Sequence, residues 1–311
     1  MKYATLGKSK LQISRIGLGT NAVGGHNLFA NVDEKAGIKF VTEALENGIN
    51  FIDTADSYGL GRSEELIGQI LKGRDRDSFV IATKGGNEVL PNGNKRHNSR
   101  PEYIRKALER SLKRLQLDEV DLYYLHFPDN ETPISETMGE LSRLKQEGKI
   151  KAIGISNVSL QQLKEADESC ELSALQAAYN MLDRSAEKDL LPYCSDHHIS
   201  FIPYGPLAYG LLGGNYTKDL KLDKKDWRSS VPLFQPGVFV KMIDKVDRLK
   251  KFAVQKGISM NNLALAWLLT QNGVDSVIPG GKNAGQVRDN VLADDVTLTP
   301  EDLASLEKML H

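Results

Sequence analysis

INFIDTADSYG, residues 49–59, runs from a short apolar segment, Ile49–Ile52, straight into Asp53 and, five positions on, Tyr58. A buried strand ends there and chemistry begins. The same junction recurs along the chain. VIAT (80–83) is followed by Lys84, LYYL (122–125) by His126, and AIGI (152–155) by Ser156 and Asn157. SAL (173–175) leads into Gln176, SFIP (200–203) into Tyr204, and SVIP (276–279) into Gly280. Side chains suited to cofactor or carbonyl chemistry, gathered at strand ends, are how an eight-stranded β/α barrel builds its active site.

Outward from these junctions, the candidate strands are Arg15–Leu18, Ile49–Ile52, Phe79–Ala82, Leu122–Leu125, Ala152–Ile155, Ala174–Gln176, Ser200–Pro203 and Ser276–Ile278. They are short, apolar and rich in β-branched or aromatic residues, the pattern of parallel strands buried on both faces. Helical periods fill the gaps. Ile104, Leu108, Leu112 and Leu115 share one face, as do Ile134, Met138, Leu141 and Leu144. Ser63 before Glu64 and Glu65, Thr132 before Pro133, and the Thr299–Asp302 spacing mark helix starts; Gly48 and Gly148 mark helix ends. Residues 3–13 read as a hairpin able to plug the bottom of a barrel. The expectation is an α/β fold, a (β/α)8 TIM barrel with an N-terminal hairpin plug and a C-terminal helix, as one domain over 1–311. A doubly wound sheet is the competing arrangement, and eight units fit closure better. Residues 207–236 are too long for an ordinary connection; a lid over cofactor or substrate competes there with an unstructured insertion.

The chain has 311 residues and a formal net charge of −1, without the basic face of a nucleic-acid binder. The lysine-rich stretch 241–256, with Val240, Ile243, Val246, Leu249 and Ala253 interleaved, reads as a solvated helix face. Cys170 and Cys194 build no disulfide framework and suit a reducing compartment. No run approaches the ~18 apolar residues of a membrane span, and the first residues lack the apolar stretch of a signal peptide, so a cytoplasmic protein is expected. No histidine–carboxylate cluster has metal-ligand spacing, and no metal is expected. GLG at 17–19 lacks the third glycine of a dinucleotide fingerprint, which argues against a Rossmann domain. Gly19 and Thr20 still end the first strand and are candidates to line the pocket.

Consecutive barrel strands are neighbours, so Asp53, Tyr58, Lys84 and His126 converge. A phenol is a weak acid, with a reference pKa of about 10. A nearby ammonium favours the phenolate and lowers that value, while a carboxylate beside the lysine keeps it charged. With an imidazole left to hydrogen-bond a substrate oxygen, the group suits proton delivery to a carbonyl oxygen. Taken alone, Asp53 and Lys84 read equally as a structural ion pair. His26 is a weaker candidate on the substrate side.

With these residues in order, the chain resembles the aldo-keto reductases over residues 3–310. The resemblance implies that Tyr58, Asp53, Lys84 and His126 are the catalytic tetrad. It implies that Ser156 and Asn157 of GISN (154–157), with Gln176, hold a nicotinamide carboxamide, and that Tyr204 stacks on the nicotinamide ring. Gly205, Pro206 and Leu207 would approach the pyrophosphate, and IPGGK (278–282), Gln286 and Asn290 would form the adenosine-phosphate segment. Where the mammalian aldose-reductase type has a lysine, this chain has Gly280. Lys282 is then the candidate for the 2′-phosphate of NADPH, and as a point charge it excludes NADH less strictly than an arginine fork. The long seventh loop, the GGK…Q…N pattern and GLGTNAVGGHN (17–27) resemble the bacterial branch with the inositol-operon reductases and potassium-channel β subunits. The implied activity is NADPH (NADP+)-dependent reduction of aldehyde or ketone carbonyls, with a small-molecule carbonyl substrate and no nucleic-acid or membrane partner. A nicotinamide-binding regulatory or redox-sensing module with little turnover is the alternative. A barrel lyase or isomerase using Lys84 as a Schiff-base amine is a third reading, which the Asp53 partner disfavours. The segments 23–31, 86–97 and 207–236 are expected to wall the substrate.

Overall fold

The computed structural model describes residues 1–90, 92–223 and 226–310. Pro91, Lys224 and Lys225, within the segments 86–97 and 207–236, and the terminal His311 lie outside the described residues. The chain opens with an antiparallel hairpin, β1 (Tyr3–Thr5) and β2 (Gln12–Ser14). β3 (Leu18–Gly19), α1 (Glu34–Glu46), β4 (Phe51–Asp53), α2 (Arg62–Leu71) and β5 (Val80–Gly85) follow. A second hairpin, β6 (Asn87–Val89) with β7 (Lys95–His97), precedes α3 (Pro101–Leu115). Alternation then resumes: β8 (Val120–Leu125), α4 (Ile134–Gln146), β9 (Ile150–Ser156), α5 (Leu160–Ser169), β10 (Leu172–Ala178), α6 (Leu190–Asp196) and β11 (Ser200–Tyr204). Four helices end the described chain: α7 (Val238–Gln255), α8 (Met260–Leu269), α9 (Ala284–Val291) and α10 (Pro300–Leu310).

Seven strands form one parallel sheet in the order β3-β4-β5-β8-β9-β10-β11. The expected eighth strand is reduced to single bridges. Phe201 meets Val274 on one side, and Ile16 meets Val277 and Gly19 meets Gly280 on the other. These bridges carry the curled sheet round to its first strand, giving the TIM-barrel architecture. On the β3 side the ladder breaks at Pro279, which has no N–H to donate, although its carbonyl accepts from Gly19 N at 3.1 Å. The first strand is likewise shorter than Arg15–Leu18. Others run past the expected ends: β5, β9 and β11 take in Lys84, Ser156 and Tyr204, and β10 runs on from Gln176 to Ala178. Reading strands only as apolar runs stops too soon, because the last inward positions are polar.

Side-chain parity explains why those positions converge. In a strand, residues two apart share a face. The registers Phe51↔Val80, Ala82↔Leu122, Leu122↔Ala152, Gly154↔Ala174 and Gln176↔Ile202 set one inward series. Its lower layers are the interior core of Phe51, Val80, Ala82, Leu122, Tyr124, Ala152, Ala174, Ile202 and Ile278. Its next layer is Asp53, Lys84, His126, Ser156, Gln176 and Tyr204. Large and small residues alternate within the barrel, and Gly154 is required: a Cβ there would lie 2.3 Å from Tyr124. Leu6 and Ile13 of the first hairpin join this core from the strands' N-terminal side, so the hairpin plugs the barrel bottom. The opposite strand faces pack on the helices through a second core containing Ile104, Leu108, Met138 and Leu141.

Helix boundaries shift slightly from the sequence reading. α2 starts at Arg62 behind Gly61, so Ser63 is buried within it rather than preceding it, while Glu64 and Glu65 stand in its first turn as expected. Pro133, not Thr132, is the residue before α4. At α10 the expected box forms: Thr299 N donates to Asp302 Oδ2 at 3.0 Å, and Asp302 N to Thr299 Oγ1 at 3.2 Å. α7 buries Ile243, Val246, Leu249 and Ala253, but Val240 is exposed. The long seventh connection contains 3₁₀ turns at Ala208–Gly213, Trp227–Ser230 and Pro232–Phe234. Among the described residues no helix is long and apolar enough to cross a membrane.

Candidate active site

Asp53, Lys84 and His126 reach the barrel mouth by strand parity. Tyr58 arrives in the turn after β4. That turn crosses the loop after β3 so closely that a Cβ on Gly59 would lie 1.9 Å from the Gly24 carbonyl oxygen. Lys84 Nζ donates to Asp53 Oδ1 at 2.6 Å and to the Thr54 carbonyl at 2.7 Å. It lies 5.2 Å from the centroid of the Tyr58 ring. The Tyr58 and His126 rings meet edge to face at 6.2 Å. The second Asp53 oxygen accepts from Gln176 Nε2 at 2.9 Å.

Burial works against a charged Lys84, but Asp53 and Tyr58 outweigh it and the pKa is raised. The lysine is therefore held as an ammonium, which removes the neutral amine a Schiff base needs. For Tyr58, burial outweighs the pull of Lys84 and raises the phenol above its usual value. The ammonium pulls the value down as expected, but burial outweighs it. Asp53 shares the ammonium's charge and itself opposes the phenolate. Tyr58 is consequently a phenol with its proton in place. Burial, reinforced by Lys84 and His97, holds His126 well below the ordinary imidazole range, so its ring is neutral. Two residues before Tyr58, burial and then Glu64 push Asp56 up to about 8, and its Oδ1 is buried without a partner.

These groups open onto a cavity of about 630 Å³. Gly19, Thr20, Asp53, Tyr58, His126, Ser156, Asn157, Gln176, Tyr204, Gly205, Pro206, Leu207, Gly280, Lys282, Gln286 and Asn290 all line it. Lys84 does not; with no exposed surface, it stands behind Asp53. His26 is also off the wall, 2.9 Å from Glu34. The residues expected to handle the proton and those expected to hold the cofactor are joined by hydrogen bonds. Gln176 is bonded to Asp53, and Asn157 Nδ2 donates to the His126 carbonyl at 3.0 Å and to Ser156 Oγ at 2.9 Å. Tyr204 Oη donates to Asn157 Oδ1 at 3.0 Å.

Several wall residues escaped sequence reading. Asn21, Ala22, Phe127, Arg228 and Asn261 come from loops or a helix start that carry no local signal. Phe29 and Trp227 meet edge to face at 6.3 Å, and Tyr209 meets Trp227 at 5.0 Å. The segments after β3 and β11 thus touch each other at the cavity wall. No described residue of 86–97 lines the cavity; that hairpin instead holds His126 through Asn87.

The far end of the cavity suits a nucleotide. Oδ1 of Asn261 and Oδ1 of Asn290 are buried without partners, acceptors able to receive N–H groups. Lys282 and Arg228 supply positive charge beside them. Asp226 clamps Arg228, at 2.5 Å from Nη2, and the guanidinium holds Asp226 below the usual carboxylate range. Among the described residues no group of three His, Cys, Asp or Glu side chains could hold a metal ion.

Comparison with known proteins agrees with this geometry. The family described as "Aldo/keto reductase family" matches residues 15–311. The chain is 37% identical over 314 residues to the aldo-keto reductase YhdN of Bacillus subtilis, covering 100% of this chain and 94% of that protein. It is 37% identical over 325 residues to the NADH-specific methylglyoxal reductase of Escherichia coli, covering 99% and 98%. Among solved structures, a glycerol dehydrogenase of Gluconobacter oxydans matches with a TM-score of 0.91 and 36% identity, over 99% of this chain and 94% of that one.

Proposed function

The chain belongs to the aldo/keto reductase family, and from that premise we propose that it reduces aldehyde or ketone carbonyls with NADPH, Tyr58 acting as the general acid. The observation that carries this reading is the convergence of Tyr58, His126 and Asp53 on one cavity wall, with Lys84 buried behind it and paired to Asp53. A bound nicotinamide supplies the hydride that adds to the carbonyl carbon. Tyr58 gives its proton to the oxygen as negative charge develops there. Lys84, fixed by Asp53 and Thr54, stabilises the phenolate left behind. His126, neutral, hydrogen-bonds the same oxygen and orients it. Ser156, Asn157, Gln176 and Tyr204 hold the nicotinamide end, and Gly205–Leu207 the pyrophosphate. Gly280, Lys282, Gln286 and Asn290 hold the adenosine end.

The choice of NADPH rests on Lys282 at the adenosine end, where a 2′-phosphate needs a cation. The methylglyoxal reductase relative is named as NADH-specific, so the cofactor is chosen by local residues rather than by family. Two titrations test the reading. Tyr58→Phe binds NADPH as wild type does but loses at least about 100-fold in carbonyl reduction; near wild-type turnover would remove Tyr58 from the role. Lys282→Ala weakens NADPH by about tenfold and leaves NADH unchanged, within the range of a single charge-assisted contact. An unchanged preference would move the phosphate site elsewhere.

A further inference from the structure

We propose that Asn87 is a positioning residue for this site: its side-chain amide fixes His126 as the tautomer with its proton on Nε2, so that the ring meets the substrate oxygen as a hydrogen-bond donor. The functional part of this inference rests on the role given to His126 above.

Asn87 opens the β6–β7 hairpin. Its Nδ2 lies 2.9 Å from Nδ1 of His126, and its Oδ1 lies 3.1 Å from Nδ1 of His97 on the facing strand. An amide nitrogen offers only protons, so His126 Nδ1 must present its lone pair. A neutral imidazole carries one N–H, which therefore sits on Nε2. At its other end the amide oxygen needs a donor, and His97 Nδ1–H supplies it, setting which way round the amide stands. The ring itself cannot turn freely. Phe127 stacks on it at 4.8 Å and Tyr58 abuts it edge-on at 6.2 Å.

The titratable groups facing His126 are Lys84 and Tyr58 from the barrel mouth and His97 from the hairpin. None is a carboxylate that could draw a proton to Nδ1. The hairpin also has anchors that do not involve the Asn87 amide. Tyr103 Oη donates to the Asn87 carbonyl at 2.7 Å, Asn98 Nδ2 to Glu88 at 2.8 Å, and Arg96 Nε to Glu88 at 2.7 Å. Removing the amide therefore tests the ring rather than the hairpin.

The test is the nitrogen spectrum of histidine-labelled protein, with the His126 signal identified by its loss in His126→Gln. Wild type is expected to show an Nε2–H ring that does not change between about pH 6 and 8. In Asn87→Asp the carboxylate accepts from Nδ1–H, as an aspartate does in a catalytic triad. The neutral ring then turns an unprotonated Nε2 to the cavity. We expect kcat/KM to fall about 100-fold at high pH, the cost of one lost oxyanion donor. It should recover as pH falls and the imidazolium restores Nε2–H, whereas wild type stays flat over that range. Asn87→Ala, with no new acceptor, should lose about tenfold without a new pH limb, and NADPH affinity should be unchanged in both. An Nδ1–H ring in wild type, or a tautomer unmoved in Asn87→Asp, overturns the proposal. A tautomer that moves while kcat/KM does not would uphold the Asn87 bond and sink the role of His126 in the reaction.

Discussion

Replacing Lys84 with methionine separates what the buried pair does for the fold from what it does for the reaction. The stem is kept roughly, and the ammonium, with its bonds to Asp53 Oδ1 and the Thr54 carbonyl, is lost. Asp53 is then left in a site where both partners were buried. Breaking such a pair typically costs about 3–5 kcal/mol. A ceiling follows from chemistry, because the stranded carboxyl can escape by taking a proton. From an ordinary value of about 3.9 to pH 7 is roughly three units at about 1.4 kcal/mol each, or about 4 kcal/mol. For a chain of this length that is a fall in Tm of about 6 °C. The pH dependence has a definite sign. In the variant, folded Asp53 binds its proton more tightly than unfolded Asp53, so stability falls as pH rises above about 4. The deficit relative to wild type should therefore be about 2.7 kcal/mol smaller at pH 5 than at pH 7. Carbonyl reduction should drop about 10²–10⁴-fold, since Tyr58 loses the cation that stabilises its phenolate. Adding Asp53→Asn removes the stranded charge. Stability should then largely return, as neutral replacements of buried pairs often permit, while the rate stays low. Calorimetry and steady-state kinetics on the two variants read both effects. Recovery of rate in the double variant, or no stability loss in Lys84→Met, would refute the argument.

Three other outcomes follow from particular contacts. Trp227→Ala removes edge contacts with Phe29 and Tyr209 worth about 0.5–1.5 kcal/mol each, so cofactor release measured by stopped-flow fluorescence should quicken roughly tenfold; an unchanged rate would show that these rings do not retain it. Gly85→Ala places a Cβ 2.1 Å from the buried Tyr123 hydroxyl and should cost about 1–3 kcal/mol in urea unfolding. Tyr123→Phe should relieve that cost, because the hydroxyl has no partner to lose; a strictly additive pair would contradict the clash. In wild type, kcat/KM for reduction should have no limb in the histidine range, because His126 is already neutral, and should decline only as pH rises through the raised Tyr58 value. A limb near pH 6.5 that disappears in His126→Gln would contradict this.

The sequence alone determined the alternation of barrel strands and helices, and which polar residues follow each apolar run. Short apolar runs rich in β-branched or aromatic residues, such as VIAT and LYYL, between longer helical periods read as buried strands, and in a barrel the next polar residue of inward parity faces the mouth. Asp53, Lys84, His126, Ser156, Gln176 and Tyr204 were legible for that reason. So was the helix box at Thr299–Asp302, whose partners are three residues apart. The tertiary structure decided what depends on contacts between distant segments. Burial against the whole barrel raises Tyr58 although its lysine neighbour pulls the other way. Gln176 is bonded to Asp53, 123 positions away, and so ties the cofactor-side strands to the proton-handling ones. The eighth strand is reduced to isolated bridges to its two neighbours. Asn87 stands in a segment that looked like a substrate wall, yet its amide reaches His126, 39 positions on. No local pattern encodes these pairings, because each exists only once closure brings separate strands and loops to the same end of the barrel.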